Sequence, residues 1–215
     1  MDGIIFDIDG TLWNPTDEVA KSWNQAIREC TKLSRTITGA QLRREFGKPL
    51  DVIINALFPE LSPTEQTQLS VHLFDYENRW LETAPCPIYE HVPDTLEALS
   101  KRYPLFIVSN CQSGYIESFL KNTGFSKYIT DYTCHGDTGL QKQDTIRLIM
   151  DRNHLASAVY VGDTQGDADA CQKADVPMIY VSYGFGTVKE PFLTIHRFDE
   201  LLEIDFDSHI AKPIP

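Results

Sequence analysis

The sequence predicts an α/β fold, a three-layer sandwich built on a parallel sheet, with an all-helical segment inserted near its start. Three observations carry this. Short apolar runs rich in β-branched or aromatic residues recur at 4–6, 105–108, 158–161 and 178–181, with a weaker run at 128–133; each has the length and composition of a buried strand. Helical patterns at about 94–102, 113–123, 144–153 and 167–174 alternate with the later runs, which is the rhythm of βαβ units in a Rossmann-like sheet. The stretch from about 16 to 82 breaks that rhythm, showing helical periodicity and helix-start signals without a convincing strand.

In chain order, the first strand, Ile4-Ile5-Phe6, runs straight into Asp7. Within the insert, Ser62-Pro63-Thr64-Glu65 combines a capping serine, a proline at the first helical position and a reciprocal glutamate, and Thr38-Gly39-Ala40-Gln41 is a looser version, so both mark helix starts. Pro85 and Pro87 flank Cys86 in an extended linker that returns the chain to the sheet. These signals assign residues 1–14 and 84–215 to an α/β core domain and 15–83 to a helical cap subdomain.

Length and composition agree: 215 residues, 42% hydrophobic and 23% charged, suit one main domain with an insert. Acidic residues outnumber basic ones 31 to 19, and no Lys/Arg cluster or aromatic-basic stripe interrupts the net charge of -12. Nucleic acid and anionic membranes are therefore not expected as partners. The five cysteines are scattered and never in C-x-x-C spacing, which argues against a disulfide framework or a zinc site and for a reducing compartment. No basic, apolar leader and no apolar run near the roughly 18 residues of a membrane span is present, so a cytoplasmic protein is expected. The sequence leaves monomer and homodimer equally open.

The strongest local signal is Asp7-Ile8-Asp9-Gly10-Thr11, two carboxylates directly after the first strand. Open α/β sheets place their ligands at that end of a strand. At strand periodicity Asp7 and Asp9 project the same way, and two such anions repel unless a cation or a shared proton intervenes. An Asp-Gly turn closing a strand is the bland alternative. A second acidic loop, Gly162-Asp163-Thr164-Gln165-Gly166-Asp167, follows another predicted strand, and four carboxylates at neighbouring strand ends suit a hard divalent cation, Mg2+ in preference to calcium. Ser109-Asn110 follows a third strand and Lys142 precedes a helix; a hydroxyl, an amide and an ammonium are suitable donors to a phosphoryl group.

With these residues in order, the chain resembles the haloacid dehalogenase superfamily, specifically its phosphoglycolate phosphatase-like branch with a helical cap. The resemblance spans essentially the whole chain, through Asp7-Ile8-Asp9-Gly10-Thr11, Ser109 with Asn110, Lys142, and the loop from Gly162 to Asp167. One departure is Gln143, where many relatives have proline after the lysine. The resemblance implies that Asp7 is a covalent nucleophile towards a small-molecule phosphate ester and Asp9 its acid-base partner. It implies that Mg2+ is held by Asp7, the Asp9 carbonyl and Asp163 with Asp167 beside them, and that Ser109, Asn110 and Lys142 hold phosphoryl oxygens. An aspartate at position 9 favours phosphoryl chemistry, since the dehalogenases of the superfamily lack it. The turn Phe46-Gly47-Lys48-Pro49 resembles the cap loop that faces the site in relatives, which makes Lys48 a candidate substrate contact beside the plainer reading of a solvated lysine. Rival expectations are a phosphosugar mutase of the same branch, a receiver-type signalling module, and a non-catalytic regulatory protein on this fold.

Other residues read as structural. Cys111 lies beside Ser109 but has no histidine in a suggestive context, the six histidines (His209 included) show no metal-binding spacing, and Trp13, Trp23 and Trp80 suit core or hinge packing. Gly184-Phe185-Gly186 lacks the full glycine pattern of a nucleotide fingerprint and reads as a plain loop.

Overall fold

Strand β1 (Gly3–Phe6) is buried along its whole length, as a short apolar run must be when helices cover both faces of a sheet. In the computed structural model, which describes residues 1–206, four helices follow it directly: α1 (Thr16–Cys30), α2 (Gly39–Glu45), α3 (Leu50–Leu57) and α4 (Pro63–Leu81). The chain continues through α5 (Val92–Ser100), β2 (Leu105–Ser109), α6 (Tyr115–Thr123), β3 (Asp131–Cys134), α7 (His135–Thr138) and α8 (Lys142–Arg152). It ends with β4 (Ala158–Gly162), α9 (Gln165–Ala174), β5 (Met178–Val181) and β6 (Leu193–Ile195). The expected end of the core domain at 215, and His209, lie outside the described residues.

The strands form one parallel sheet in the order β3-β2-β1-β4-β5-β6. Alternation along each strand splits the apolar side chains between two faces. Ile4, Phe6, Leu105, Ile107, Val159 and Val161 join one cluster, and Ile5, Phe106, Val108, Ala158 and Tyr160 the other. The first cluster takes in Leu96 and Leu99 of α5 and Phe119 of α6, and runs on without a break into Trp23, Leu42, Ile53 and Leu73 of the insert. The second is closed by Ile146 and Ile149 of α8 and Ala170 of α9. Burying each large aliphatic or aromatic side chain of this kind stabilises the fold by about 1.5–3 kcal/mol.

Inside the insert, both anticipated helix starts are reciprocal capping boxes, Thr38 with Gln41 at α2 and Ser62 with Glu65 at α4. Helix α1 packs on α4 and α2, and its polar contacts with α4 include two made by tryptophans. Trp23 Nε1 donates to Glu77 Oε2 at 2.5 Å and Trp80 Nε1 donates to Glu18 Oε2 at 3.0 Å. The tryptophans pack as expected, and each also holds a carboxylate.

The structure shifts some expected bounds. Helix α9 starts at Gln165 rather than 167, because Thr164 takes the capping position and Asp167 the reciprocal one three residues on. Helix α8 starts at Lys142 itself. The weak run at 128–133 becomes β3 only from Asp131, since 125–127 closes as a 3-10 turn ahead of it. Edge strand β6 was not anticipated; three residues are too few for a strand pattern.

Candidate active site

Successive connections run from β1 outward to β2 and β3, whereas β4 lies on the other side of β1. The order therefore reverses between β1 and β4, and the crevice beyond their carboxyl ends is where open α/β sheets bind ligands. Asp7 leaves β1 and Asp163 leaves β4 at this point, Ser109 is the last residue of β2, Lys142 is the first of α8, and Asp167 sits in the first turn of α9.

These side chains form one buried network. Lys142 Nζ donates to Asp7 Oδ1 at 3.1 Å and to Asp167 Oδ1 at 2.5 Å, and its side chain is 4% exposed. The other oxygen of Asp167 accepts from the Thr164 backbone N–H at 2.9 Å and hydroxyl at 2.7 Å. Asp163 Oδ2 accepts from the Phe185 backbone N–H at 2.6 Å. The loop read as plain from sequence thus holds an acidic side chain in place, and its glycine explains how: a Cβ on Gly184 would lie 2.3 Å from Asp163 Cβ. Gly10 makes the matching approach from the first loop, with φ +85° and only 2.1 Å from a would-be Cβ to Asp163 Oδ2.

Carboxylate oxygens of Asp7, Asp163 and Asp167 lie within 4.8 Å of one another. Burial pushes Asp7 up to about 6 against the pull of the Lys142 ammonium, and burial with the fields of Asp167 and Asp7 pushes Asp163 well up. Burial alone would lower Lys142, yet Asp167 and Asp7 outweigh it and hold its ammonium above its ordinary range. Three buried carboxylates against one ammonium leave negative charge uncompensated, which is costly without a further cation. An all-oxygen donor set of this kind fits a hard divalent ion.

Asp9 turns away from that cluster. The chain departs from strand geometry after Phe6, and the Ile8 carbonyl accepts from the N–H groups of Thr11, Leu12 and Trp13. Strand alternation therefore does not extend to Asp9, because β1 ends at Phe6. The turn, not the pleat, sets its direction. Asp9 Oδ1 accepts from Trp13 Nε1 at 3.0 Å and from the Tyr115 hydroxyl in a very short bond. Burial pushes its carboxyl up to about 8, opposed by the Tyr115 hydrogen bond. A carboxyl so placed is protonated at neutral pH and can donate a proton.

Asp7 and Asp9 nevertheless line the same small cavity, about 30 Å³, with Ser109 and Asn110 from the core and Gly47 and Glu77 from the insert. Asn110 Nδ2 donates to the Gly47 carbonyl at 2.9 Å, tying the strand end to the insert's 46–49 turn. Lys48 reaches the rim of the cavity, where its ammonium pairs with Glu45 at 2.7 Å. A wider groove of about 430 Å³ opens alongside, bordered by Arg43, Arg44, Lys48, Lys142 and Lys173 against a single carboxylate, Asp169. Sequence reasoning missed Tyr115, Glu77, Thr164 and Phe185, because a helix-start tyrosine, a mid-helix glutamate and a backbone N–H carry no local signature. The capping pattern of Thr164 with Asp167 was legible but concealed under the motif.

A family model described as haloacid dehalogenase-like hydrolase matches residues 4–181. The chain belongs to that family. It is 26% identical to a phosphoglycolate phosphatase of Photobacterium profundum, with 94% of each chain covered, and 28% identical to one of Vibrio cholerae, over 85% of this chain and 84% of the relative. Its fold matches a haloacid dehalogenase-like hydrolase from Streptococcus pneumoniae with a TM-score of 0.80 at 20% identity, covering 94% of this chain and 97% of the other. Membership of this hydrolase family makes the chain an enzyme, and the four sequence motifs lie at the ends of β1, β2 and β4 and at the start of α8. No described helix is long and apolar enough to cross a membrane.

Proposed function

We propose that this protein is a magnesium-dependent phosphatase that hydrolyses a small-molecule phosphate monoester through an aspartyl-phosphate on Asp7. The observation that carries the reading is Asp7 itself, a buried carboxylate at the reversal of strand order, 3.1 Å from the Lys142 ammonium and beside Asp163 and Asp167. The names of the similar phosphoglycolate phosphatases support the same reaction class.

Asp7 attacks phosphorus in line, forming an O–P bond as the ester P–O bond breaks, and Asp9 gives its proton to the departing oxygen. Asp9, now a carboxylate steadied by Trp13 and Tyr115, then takes a proton from water as that water attacks the same phosphorus and frees Asp7. Ser109, Asn110 and Lys142 orient the non-bridging oxygens. Asp7, Asp163 and Asp167 with the Asp9 carbonyl would hold Mg2+, which supplies charge neutralisation on the transferring group. The groove edged with Arg43, Arg44 and Lys48 brings an anion to this site through an otherwise acidic protein. Residues 15–83 act as a cap: the cavity is too small for an ester while Asn110 holds Gly47, so substrate enters as this contact opens. Five free cysteines, four of them buried, support a reducing compartment such as the cytoplasm.

Inorganic phosphate release from a panel of small esters with Mg2+, run beside Asp7→Asn, tests the proposal. Wild-type protein releases phosphate and the variant does not. Conversion of esters to isomeric esters without release would favour a mutase instead.

A further inference from the structure

Glu77 is a carboxyl the hydrolytic mechanism does not use. It projects from the middle of α4, is 3% exposed, and lines the cavity together with Asp7, Asp9 and Ser109. Its position is built: Trp23 Nε1 of α1 donates to Oε2 at 2.5 Å, and Gln112, in the loop after β2, lines the same cavity with its amide tied to Asn78 of α4 at 3.0 Å. It is close enough to Asp9 for its charge to act on that carboxyl. Lys48 at the rim is the single basic side chain among the cavity's described lining residues, and it is engaged with Glu45.

An ester whose phosphorus faces Asp7 and whose bridging oxygen faces Asp9 must direct its leaving group towards the insert wall. That wall presents an acceptor, Glu77, between the apolar side chains of Trp23, Leu50 and Ile53. A hydroxyl or ammonium on the leaving group finds a hydrogen-bond partner there. A carboxylate meets a like charge in a confined cavity whose described lining offers no basic side chain besides Lys48 at the rim. Resting on the phosphatase reading above, we propose that Glu77 selects phosphate esters whose small leaving group carries a hydroxyl or ammonium donor and disfavours those whose leaving group is a carboxylate. The inference sets this chain apart from its similarly built relatives named phosphoglycolate phosphatase, whose named substrate carries a carboxylate.

The test compares kcat/KM for glycerol 3-phosphate, phosphoethanolamine and 2-phosphoglycolate with Mg2+, with para-nitrophenyl phosphate as a generic ester. Wild-type protein is expected to favour the better of the first two over 2-phosphoglycolate by at least about tenfold, which corresponds to roughly 1.4 kcal/mol. In Glu77→Gln, which keeps an acceptor for Trp23, that ratio falls to within about threefold. A merely structural Glu77 would lower all rates together and leave the ratio unmoved, and that result overturns the inference. So does turnover of the generic ester with 2-phosphoglycolate used as well as the donor-bearing esters; the wild-type comparison stands even if the variant fails to fold. Failure of every ester, the generic one included, overturns the phosphatase reading itself.

Discussion

The floor of the site and the helical wall above it are built on opposite rules. On the floor, Asp7, Asp163, Asp167 and Lys142 are all but fully buried, and each meets partners fixed by strand ends or a helix cap. In the insert, by contrast, the described ion pairs lie at the surface and several are short-range, such as Lys48 with Glu45 and Arg79 with Asp75. Buried charge networks are strongly destabilised by the loss of one partner, whereas exposed pairs contribute little. On the proposed mechanism the difference separates chemistry from selection: the floor can hardly vary without losing the reaction, and the wall can vary around a few buried anchors such as Glu77. Substitutions on the floor should therefore lower kcat for every ester, and substitutions on the wall should change KM or the ranking of esters.

The largest expected effect tests the floor. Asp7→Asn removes the attacking oxygen's charge and is expected to lower kcat by at least about four orders of magnitude. Its circular dichroism should match the wild type, because an amide of the same shape relieves burial of a charge. Residual activity near the wild-type value would end the assignment of Asp7 as nucleophile.

Next in size is the cation. Chelation is expected to abolish turnover and millimolar Mg2+ to restore it. A readout independent of activity is the melting temperature, which should rise with Mg2+, since an ion bound among Asp7, Asp163 and Asp167 only in the folded state stabilises by mass action. In Asp163→Asn the rise should shrink. An unchanged melting temperature in wild-type protein across that titration would leave the carboxylate cluster without a metal role.

A smaller effect tests the wall's buried anchor. Burial pushes Glu77 from 4.5 to about 7, opposed by its hydrogen bonds from Trp23 and Gln112; Asp9, Tyr115 and Cys86 are the ionisable groups that feel its charge. A carboxyl whose folded pKa is raised costs nothing below its unfolded value, because both states hold the proton. As pH rises towards 7 the unfolded chain ionises first, so stability falls, and the cost levels off at about 3 kcal/mol above that. Glu77→Gln should thus gain stability over the wild type at pH 8 and lose that gain at pH 5. Urea melts that shift in parallel at both pH values would show that burial does not strain this carboxyl.

Legibility in the sequence followed the same division. Four strands announce themselves as apolar runs, Asp7 and Asp163 follow where two of these end, and both capping boxes of the insert are visible as four-residue patterns. The direction of Asp9 was not visible, since it depends on three N–H groups converging on the Ile8 carbonyl. Nor was the partnership of Asp9 with Tyr115, 106 positions away in the chain. The hold of Phe185 on Asp163 escaped because a backbone N–H makes it. Contacts made by backbone atoms, or by residues distant in sequence, leave no local pattern to read.

The smallest expected effect concerns Lys48, the one wall residue that sequence reasoning singled out. Its side chain is 48% exposed and its ammonium pairs with Glu45 three positions earlier, a pair worth at most about 0.5 kcal/mol at the surface. Lys48→Ala should therefore leave thermal stability nearly unchanged. Its position at the cavity rim and along the basic groove gives it a second possible effect, on capture of the anion. If it only helps to attract the phosphate, KM should rise about two- to threefold for all esters alike, the loss should fade as salt screens the field, and kcat should hold. A change confined to one ester would instead make Lys48 a leaving-group contact and move part of the wall's selectivity from Glu77 to the rim.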